Sequence, residues 1–247
     1  MTLLEGKGLA KRYHSQKSEV EALCGVDFRL REGEILGVAG ESGSGKSTLL
    51  KLIAGLEAPT AGTLLLRGLP LHHRRTKQEY RSMQMVFQNA PASFNPRRTI
   101  LDAITGSVHS LRGKSAKVDA GALSAMVNLP PELMNRYPRQ LSGGQCQRFA
   151  IARAMAVQPD ILLCDEITSA LDVSSQAQIL SLLLKLCREK HTSAIFVSHD
   201  LAAIRCICDR VMVMREGVVV EQGTIGQVIS APKEDYTRRL VESVLQI

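Results

Sequence analysis

The sequence has no tryptophan, and aromatic residues make up only 4% of its 247 positions. This scarcity argues against an aromatic platform on which unpaired nucleic-acid bases stack. Long hydrophobic runs are also missing, since no segment approaches the roughly 18 to 20 apolar residues that cross a bilayer. The N-terminus becomes charged too early for a secretory signal. We therefore expect a soluble, intracellular protein without a membrane-spanning segment.

No two cysteines form a C-x-x-C pair, the spacing that is typical of redox and zinc sites. The six cysteines are Cys24, Cys146, Cys164, Cys187, Cys206 and Cys208. Because no export signal precedes them, we expect reduced thiols that are partly buried in a protein of the cytosol.

The overall composition is that of a folded globular protein, with 45% hydrophobic and 22% charged residues. Lysine and arginine outnumber aspartate and glutamate by 31 to 24, a net charge of +7 that suggests an anionic partner. The candidates are a nucleotide, a nucleic acid and an acidic membrane surface. Nothing resembles a recognition helix or an RNA-binding motif, so we expect no nucleic-acid partner.

Short apolar runs and helical spacings alternate along the chain. The runs predict buried strands at Ile35–Ala39, Ile161–Cys164 and Ala194–Val197, and a hairpin over 211–220. Apolar pairs at helical spacing predict helices at Lys46–Ala54, which Gly55 ends, and at Ile179–Leu186. Strands that alternate with helices indicate an α/β fold with a parallel sheet.

The middle of the chain differs from this alternation. Residues from about Arg97 to Ala156 favour helix, and prolines at positions 130, 131 and 138 divide them. We interpret residues 97–156 as a helical subdomain inserted into the α/β core of a single domain, 1–247.

A glycine-rich segment fits the pattern G-x-x-x-x-G-K-[ST] between a predicted strand and a predicted helix. Glycines there let backbone N–H groups surround phosphate oxygens, and the helix N-terminus adds a partial positive charge. Lys46 is predicted to neutralise the β- and γ-phosphates of a nucleotide, and the Ser47 hydroxyl to bind Mg²⁺. The predicted phosphate loop comprises Gly40, Glu41, Ser42, Gly43, Ser44, Gly45, Lys46, Ser47 and Thr48.

Two carboxylates, Asp165 and Glu166, follow the predicted strand Ile161–Cys164 directly. Ligands of open α/β sheets bind at the carboxyl ends of the strands, which is where both acids are expected. Asp165 is predicted to hold Mg²⁺, directly or through water. Glu166 is predicted to orient or deprotonate the water that attacks the nucleotide.

The segment Leu141-Ser142-Gly143-Gly144-Gln145 has two interpretations. Ser142 and Gln145 match the S-x-x-Q capping box, which begins a helix. A glycine pair at a helix N-terminus can also bind an anion. The five residues are identical to LSGGQ, the signature sequence of ATP-binding cassette (ABC) ATPases, and the chain resembles that family.

Further positions resemble ABC ATPases in the same order along the chain. Tyr13 matches the aromatic residue that stacks on adenine, Gln88 the glutamine that reaches Mg²⁺ and the water, and His199 the switch histidine near the γ-phosphate. Ser169-Ala170-Leu171-Asp172 resembles the D-loop. The resemblance implies a P-loop NTPase fold with an N-terminal antiparallel β subdomain and an inserted helical subdomain. It also implies ATP and Mg²⁺ as cofactors.

The segment Gln88–Arg97 is similar to the Q-D-P-x-x-S-L-N-P-R stretch of ATPases from peptide and nickel importers. Tyr137-Pro138 and residues 235–238 resemble the same group. Two positions depart from it: Pro91 falls one place later than usual, and Ile167 stands where a proline usually follows the catalytic glutamate. Neither departure removes a chemical group from the site.

The cargo is less well defined by the sequence. The chain ends 48 residues after His199, without the cysteine-rich extension of many peptide-importer ATPases. This slightly favours nickel or metal-complex systems within the peptide and nickel group. The implied function is ATP binding and hydrolysis that energises the import of peptides or of nickel and metal complexes.

The resemblance also implies partners. Two ATPase subunits, identical or not, pack head to tail, and each ATP lies between the phosphate loop of one subunit and the LSGGQ helix of the other. Two transmembrane permease subunits and, indirectly, an external substrate-binding protein complete the importer. The chain is then a peripheral subunit on the cytoplasmic face of the inner membrane.

Two alternatives remain open. One is a soluble ABC ATPase that acts on ribosomes or DNA, although such proteins usually carry two cassettes or a long coiled coil, and neither is present here. The other is an exporter ATPase, against which the Gln88–Arg97 segment argues by analogy only.

Overall fold

The computed structural model describes residues 1–14 and 19–245. Its strands are β1 (Thr2–His14), β2 (Glu19–Arg31), β3 (Ile35–Ala39), β4 (Ala61–Leu66), β5 (Leu69–Pro70), β6 (Met83–Val86), β7 (Ile161–Asp165), β8 (Ser193–Val197), β9 (Arg210–Arg215) and β10 (Val218–Thr224). Its α-helices are α1 (Lys46–Ala54), α2 (Lys77–Ser82), α3 (Ile100–Arg112), α4 (Ala120–Met126), α5 (Gly143–Ala156), α6 (Val173–Lys190), α7 (Leu201–Ile207), α8 (Ile225–Ser230) and α9 (Asp235–Leu245). The chain divides into two compact units, Met1–Arg75 with Cys187–Ile247, and Thr76–Leu186.

The first unit contains an antiparallel sheet in the order β2-β1-β4-β5. From Val26 to Arg31 the side chains of β2 alternate between the two faces of the sheet, so that Val26, Phe28 and Leu30 are buried while the residues between them are exposed. This sheet is the N-terminal antiparallel β subdomain that the family resemblance implies.

The first unit also contains strands in the order β10-β9-β3-β8. Strand β3 runs parallel to both β8 and β9, and β9 pairs with β10 as an antiparallel hairpin. Every residue of β3 and β8 is buried, which explains their continuous apolar sequences. The two predicted strands, the hairpin and the parallel arrangement are confirmed.

In the second unit, β6 and β7 pair in parallel. Helix α5 is buried over most of its length, and Phe149 and Ile151 are inaccessible to solvent. Helices α3, α4 and α5 lie inside the predicted helical subdomain 97–156. The second compact unit covers more of the chain than this prediction, because it also includes β6, β7 and most of α6.

Arg153 of α5 links that helix to the segment Gln88–Arg97. Its guanidinium donates to the carbonyl and hydroxyl oxygens of Ser93 at 2.7 and 3.0 Å, and lies 4.3 Å from the centre of the Phe94 ring. Burial lowers the pKa of Arg153. The segment whose sequence resembles peptide and nickel importers is therefore fixed to the helix that begins with LSGGQ.

Helix α1 has the bounds that the sequence predicts. Gly55 ends it in a left-handed conformation (φ 74°). The Arg75 guanidinium donates to the carbonyl oxygens of Leu52 and Ile53 at 3.3 and 3.2 Å, so a cation binds at the negative end of the helix dipole. Over the ranges that the structure describes, no helix is long and apolar enough to span a membrane.

The six cysteines are all free thiols, as predicted. Cys146, Cys164 and Cys187 are buried, and burial raises the pKa of Cys187 to about 12. Burial also raises the pKa of Cys208 well above its ordinary value. Cys206, by contrast, is exposed.

We expect iodoacetamide at pH 8 to modify Cys206 much faster than Cys187 in the folded protein. The thiolate is the reactive species, and Cys187 stays protonated and buried at this pH. Mass spectrometry of tryptic peptides after timed alkylation gives the order of reaction, and denaturant provides the control in which both cysteines react. Equal rates in the native protein would contradict the burial of Cys187.

Candidate functional site

The phosphate loop connects the buried strand β3 to helix α1. Gly40 and Gly45 have φ angles of 149° and 101°, a region that side chains strongly disfavour. A Cβ atom at Gly40 would lie 2.3 Å from the Met214 carbonyl oxygen, and one at Gly45 would lie 2.5 Å from the Ala22 carbonyl oxygen. Only glycine fits at both positions, so the loop curls tightly before the N-terminus of α1.

Lys46, the first residue of α1, is buried and points back into the loop. Its Nζ donates to the carbonyl oxygens of Gly40 and Glu41 at 2.7 and 2.6 Å and to Ser44 Oγ at 3.4 Å. A phosphate oxygen is a stronger acceptor for an ammonium group than these neutral oxygens. Ser47 and Thr48 follow in the first turn of α1 and are partly exposed.

His199 follows strand β8 and lies near the start of the phosphate loop. The register pairs Val38 of β3 with Val197 of β8, so the segments that follow these two parallel strands emerge at the same edge. A cavity of about 460 Å³ is lined there by the first half of the loop and His199. Its other lining residues are Arg215, Glu216, Tyr236, Arg239 and Leu240.

In the second unit, the register of β6 and β7 brings Gln88 to Glu166. Val86 of β6 pairs with Cys164 of β7, and Gln88 and Glu166 each follow their paired residue by two positions. Gln88 Nε2 lies 3.5 Å from Glu166 Oε2 and donates to Ser169 Oγ at 2.9 Å. Ser169 Oγ in turn donates to the Glu166 carbonyl oxygen at 2.9 Å.

Glu166 itself has a left-handed backbone (φ 46°), which is uncommon outside glycine. Such strain persists only where the surrounding structure fixes it. Asp165 ends strand β7, and the next residue after Glu166, Ile167, is 1% exposed. The backbone of Glu166 is thus flanked by the end of β7 and by the buried Ile167, which stands where the family usually has a proline.

Ser142 begins helix α5 with the predicted capping box. Ser142 Oγ accepts from the Gln145 N–H at 3.2 Å, and Gln145 Oε1 accepts from the Ser142 N–H at 3.0 Å. Gly143 and Gly144 are helical, and a Cβ atom on either would meet no neighbour closer than 3.8 Å. The chain's own packing therefore does not require these two glycines.

Tyr13 lies near the end of strand β1, and its side chain is 37% exposed. Its hydroxyl donates to Glu57 Oε2 at 2.5 Å, and Lys11 Nζ lies 5.0 Å from the centre of its ring. Burial and the contact with Glu57 both raise the pKa of Tyr13. Tyr13 does not line the cavity of the phosphate loop and His199, so its role beside adenine stays a prediction.

The sequence profile of the ABC transporter family matches residues 23–169, which is more than half of the chain. The chain belongs to the ABC transporter family.

Relatives of this ABC protein include the oligopeptide transport ATP-binding protein OppF of Salmonella typhimurium. It is 45% identical over 232 residues, which cover 91% of this chain and 70% of OppF. A putative peptide import ATP-binding protein of Brucella ovis is 38% identical over 249 residues, covering 98% of this chain and 78% of the relative.

Two solved structures share the fold of this ABC protein. One is the dimeric ATP-binding cassette MJ0796 in a post-hydrolysis state bound to ADP and Pi. It is 31% identical to this chain with a TM-score of 0.79, and the match covers 90% of this chain and 99% of MJ0796. The other is CbiO1 from Clostridium perfringens, part of the ABC transporter complex cbiONQ, 25% identical with a TM-score of 0.79, over 99% and 96% of the two chains. The predictions of an ABC-type P-loop fold and of an ATP-binding ATPase are confirmed.

The sequence patterns assigned no role of their own to three residues that contact the predicted site residues. Ser169 was named only as part of the D-loop, but it joins Gln88 to the backbone of Glu166. Glu57, the partner of Tyr13, carries no motif that could have identified it. Tyr236 lines the cavity of the phosphate loop, and its only sequence signal was the likeness of residues 235–238 to importer ATPases.

Proposed function

We propose that this chain is the ATPase subunit of a peptide importer. The observation that carries the proposal is the identity of 38 to 45%, over most of the chain, to ATP-binding proteins named for peptide transport. The relatives named above lend no support to the nickel alternative, which remains a prediction. The proposed chemistry of ATP hydrolysis rests on this chain's own side chains at the positions that match the ABC motifs.

ATP binding begins at the phosphate loop. The curled backbone directs N–H groups toward the nucleotide, and the N-terminus of α1 adds its dipole. Lys46 exchanges the carbonyl oxygens of Gly40 and Glu41 for phosphate oxygens and so offsets the charge of the β- and γ-phosphates. His199 binds the γ-phosphate as a donor from the same cavity.

Hydrolysis depends on Glu166 and Gln88. The Glu166 carboxylate accepts a proton from the attacking water, and Gln88 orients that water through its amide. The family resemblance assigns Mg²⁺ to Ser47, Gln88 and Asp165, whose hydroxyl, amide and carboxylate oxygens are of the kind that suits this ion. When bound, Mg²⁺ neutralises charge that develops on the phosphates.

The glycines of LSGGQ support a dimer of two ATPase subunits packed head to tail. Gly143 and Gly144 are the first two residues of α5, and the chain's own packing leaves room for a Cβ atom at both. The close approach of an ATP phosphate held by the other subunit to Ser142, Gly143, Gly144 and Gln145 gives a reason for glycine at these positions. The relative MJ0796 is itself dimeric.

The remaining partners follow from the family. Two transmembrane permease subunits receive the motion of the ATPase dimer, and the segment Gln88–Arg97 carries it from the nucleotide. A substrate-binding protein outside the membrane selects the peptide and acts on this chain only indirectly. The ATPase therefore works as a peripheral subunit on the cytoplasmic face of the inner membrane.

Affinity purification from native membranes tests this assignment. The Glu166→Gln variant with ATP is expected to retain two permeases and an ATPase partner, because the ATP-bound dimer does not reopen. Lys46→Ala under the same conditions is the matched control. Because it binds ATP weakly, the amount of permease and partner ATPase recovered with it is not expected to rise when ATP is added. Recovery of ribosomes, DNA or an export complex instead would overturn the importer assignment while leaving the ATPase chemistry in place.

A further inference from the structure

The phosphate loop is bound by a residue of the C-terminal helix. The Glu41 N–H donates to Tyr236 Oη at 3.1 Å, across 195 positions of sequence. Tyr236 lies in the first turn of α9, and only 8% of its surface is exposed. A buried tyrosine whose hydroxyl accepts from one backbone N–H of a ligand-binding loop restricts the orientation of that peptide.

One contact to the ring of Tyr236 and two hydrogen bonds to the backbone just before α9 help to hold this residue. The Arg215 guanidinium lies 5.2 Å from the centre of its ring, and Arg215 also forms an ion pair with Glu216 at 3.2 Å. Before α9, the carboxylate of Glu221 accepts from the backbone N–H groups of residues 233 and 234 at 3.0 and 3.2 Å. Partial burial raises the pKa of Glu221, but these hydrogen bonds outweigh it and lower the pKa overall.

The turn between β9 and β10 binds the same loop at a second point. The Gly217 N–H donates to the Ser44 carbonyl oxygen at 3.1 Å, and the Gly217 carbonyl oxygen accepts from Cys24 N–H at 2.9 Å. The loop is therefore held at Glu41 and at Ser44 by segments that follow His199 in the sequence.

The peptide group that joins Gly40 to Glu41 is bonded on both of its sides. Its N–H, that of Glu41, donates to Tyr236 Oη at 3.1 Å, and its carbonyl oxygen, that of Gly40, accepts from Lys46 Nζ at 2.7 Å. When Lys46 turns to the phosphates of ATP, the carbonyl loses this donor, whereas the contact with Tyr236 does not depend on the lysine. Tyr236 then keeps the start of the loop in the conformation that binds phosphate.

We propose that Tyr236 is a positioning residue for the phosphate loop. This role rests on the proposed ATP site, and Tyr236 acts through the Gly40–Glu41 peptide group rather than by touching the nucleotide. Helix α9 thereby contributes to ATP binding, because Tyr236 in its first turn helps to hold the phosphate loop in the conformation that binds phosphate.

The test is nucleotide affinity in the full chain, measured with the fluorescent probe mant-ATP, for wild type, Tyr236→Phe and Arg215→Gln. Tyr236→Phe keeps the ring and removes one hydrogen bond, so we expect the Kd to rise about 2- to 10-fold. Arg215→Gln removes the contact with the ring and is expected to have a smaller effect in the same direction. Tyr80→Phe is the matched control, because Tyr80 lies in the second unit and is 39% exposed.

Thermal unfolding without nucleotide separates positioning from stability. A positioning role requires a weaker Kd for mant-ATP with the Tm of the unliganded protein little changed. Wild-type affinity for mant-ATP overturns the proposal, whatever the Tm. If the Tm is lowered at wild-type affinity, Tyr236 has a structural role only. If Lys46→Ala loses mant-ATP binding while Tyr236→Phe keeps it, the proposed ATP site stands and only the role of Tyr236 is wrong. If the wild-type chain binds no mant-ATP, both the ATP site and the role of Tyr236 are wrong.

Discussion

Replacing Glu166 with glutamine is expected to slow ATP hydrolysis by a factor of about 10² to 10⁴ while ATP still binds. Glutamine has the shape of glutamate but does not accept the proton of the attacking water. The neighbouring contacts survive, because Ser169 Oγ binds the carbonyl oxygen of residue 166 and the amide of Gln88 can donate to a glutamine oxygen. The change therefore removes the base and leaves the geometry in place.

Single-turnover hydrolysis of radiolabelled ATP measures this effect, and size-exclusion chromatography with ATP is expected to show the dimer accumulating. Glu132→Gln is the matched control, since Glu132 is an exposed carboxylate in the same unit. Hydrolysis by Glu166→Gln at the wild-type rate would remove Glu166 from the role of general base.

Replacing Lys46 with alanine is expected to weaken the binding of ATP about 10- to 100-fold, because charge-assisted hydrogen bonds to the phosphates are lost. The Lys46 ammonium already lies inside the loop, 2.7 and 2.6 Å from the carbonyl oxygens of Gly40 and Glu41. No other side chain of the loop carries a positive charge.

Equilibrium titration with ATP measures the change in Kd, and circular dichroism checks that the variant is folded. Lys190→Ala removes a charge from an exposed position at the end of α6 and is expected to bind ATP as wild type does. A folded Lys46→Ala protein with unchanged affinity would contradict the assignment of the phosphate loop. Together the two substitutions separate binding from hydrolysis, since Lys46→Ala affects the first and Glu166→Gln the second.

Local patterns were sufficient where the structure is itself local. The bounds of α1 follow from the glycine-rich loop before it and Gly55 after it, and the strands β3 and β8 follow from short apolar runs. Both interpretations of LSGGQ came from four adjacent residues, and the capping box is now observed. Strand β6 was missed, because its four residues Met83–Val86 alternate too briefly to stand out.

The sequence by itself determined the phosphate loop, Asp165 and Glu166 at the end of β7, the signature helix and, through their order, the family. Only the tertiary structure placed Gln88 beside Glu166 and Ser169, because the register of β6 and β7 aligns residues 78 positions apart. The tertiary structure alone also brought the Tyr236 hydroxyl to the N–H of Glu41. Such contacts depend on how strands and helices pair across the chain, and no run of neighbouring residues encodes that pairing.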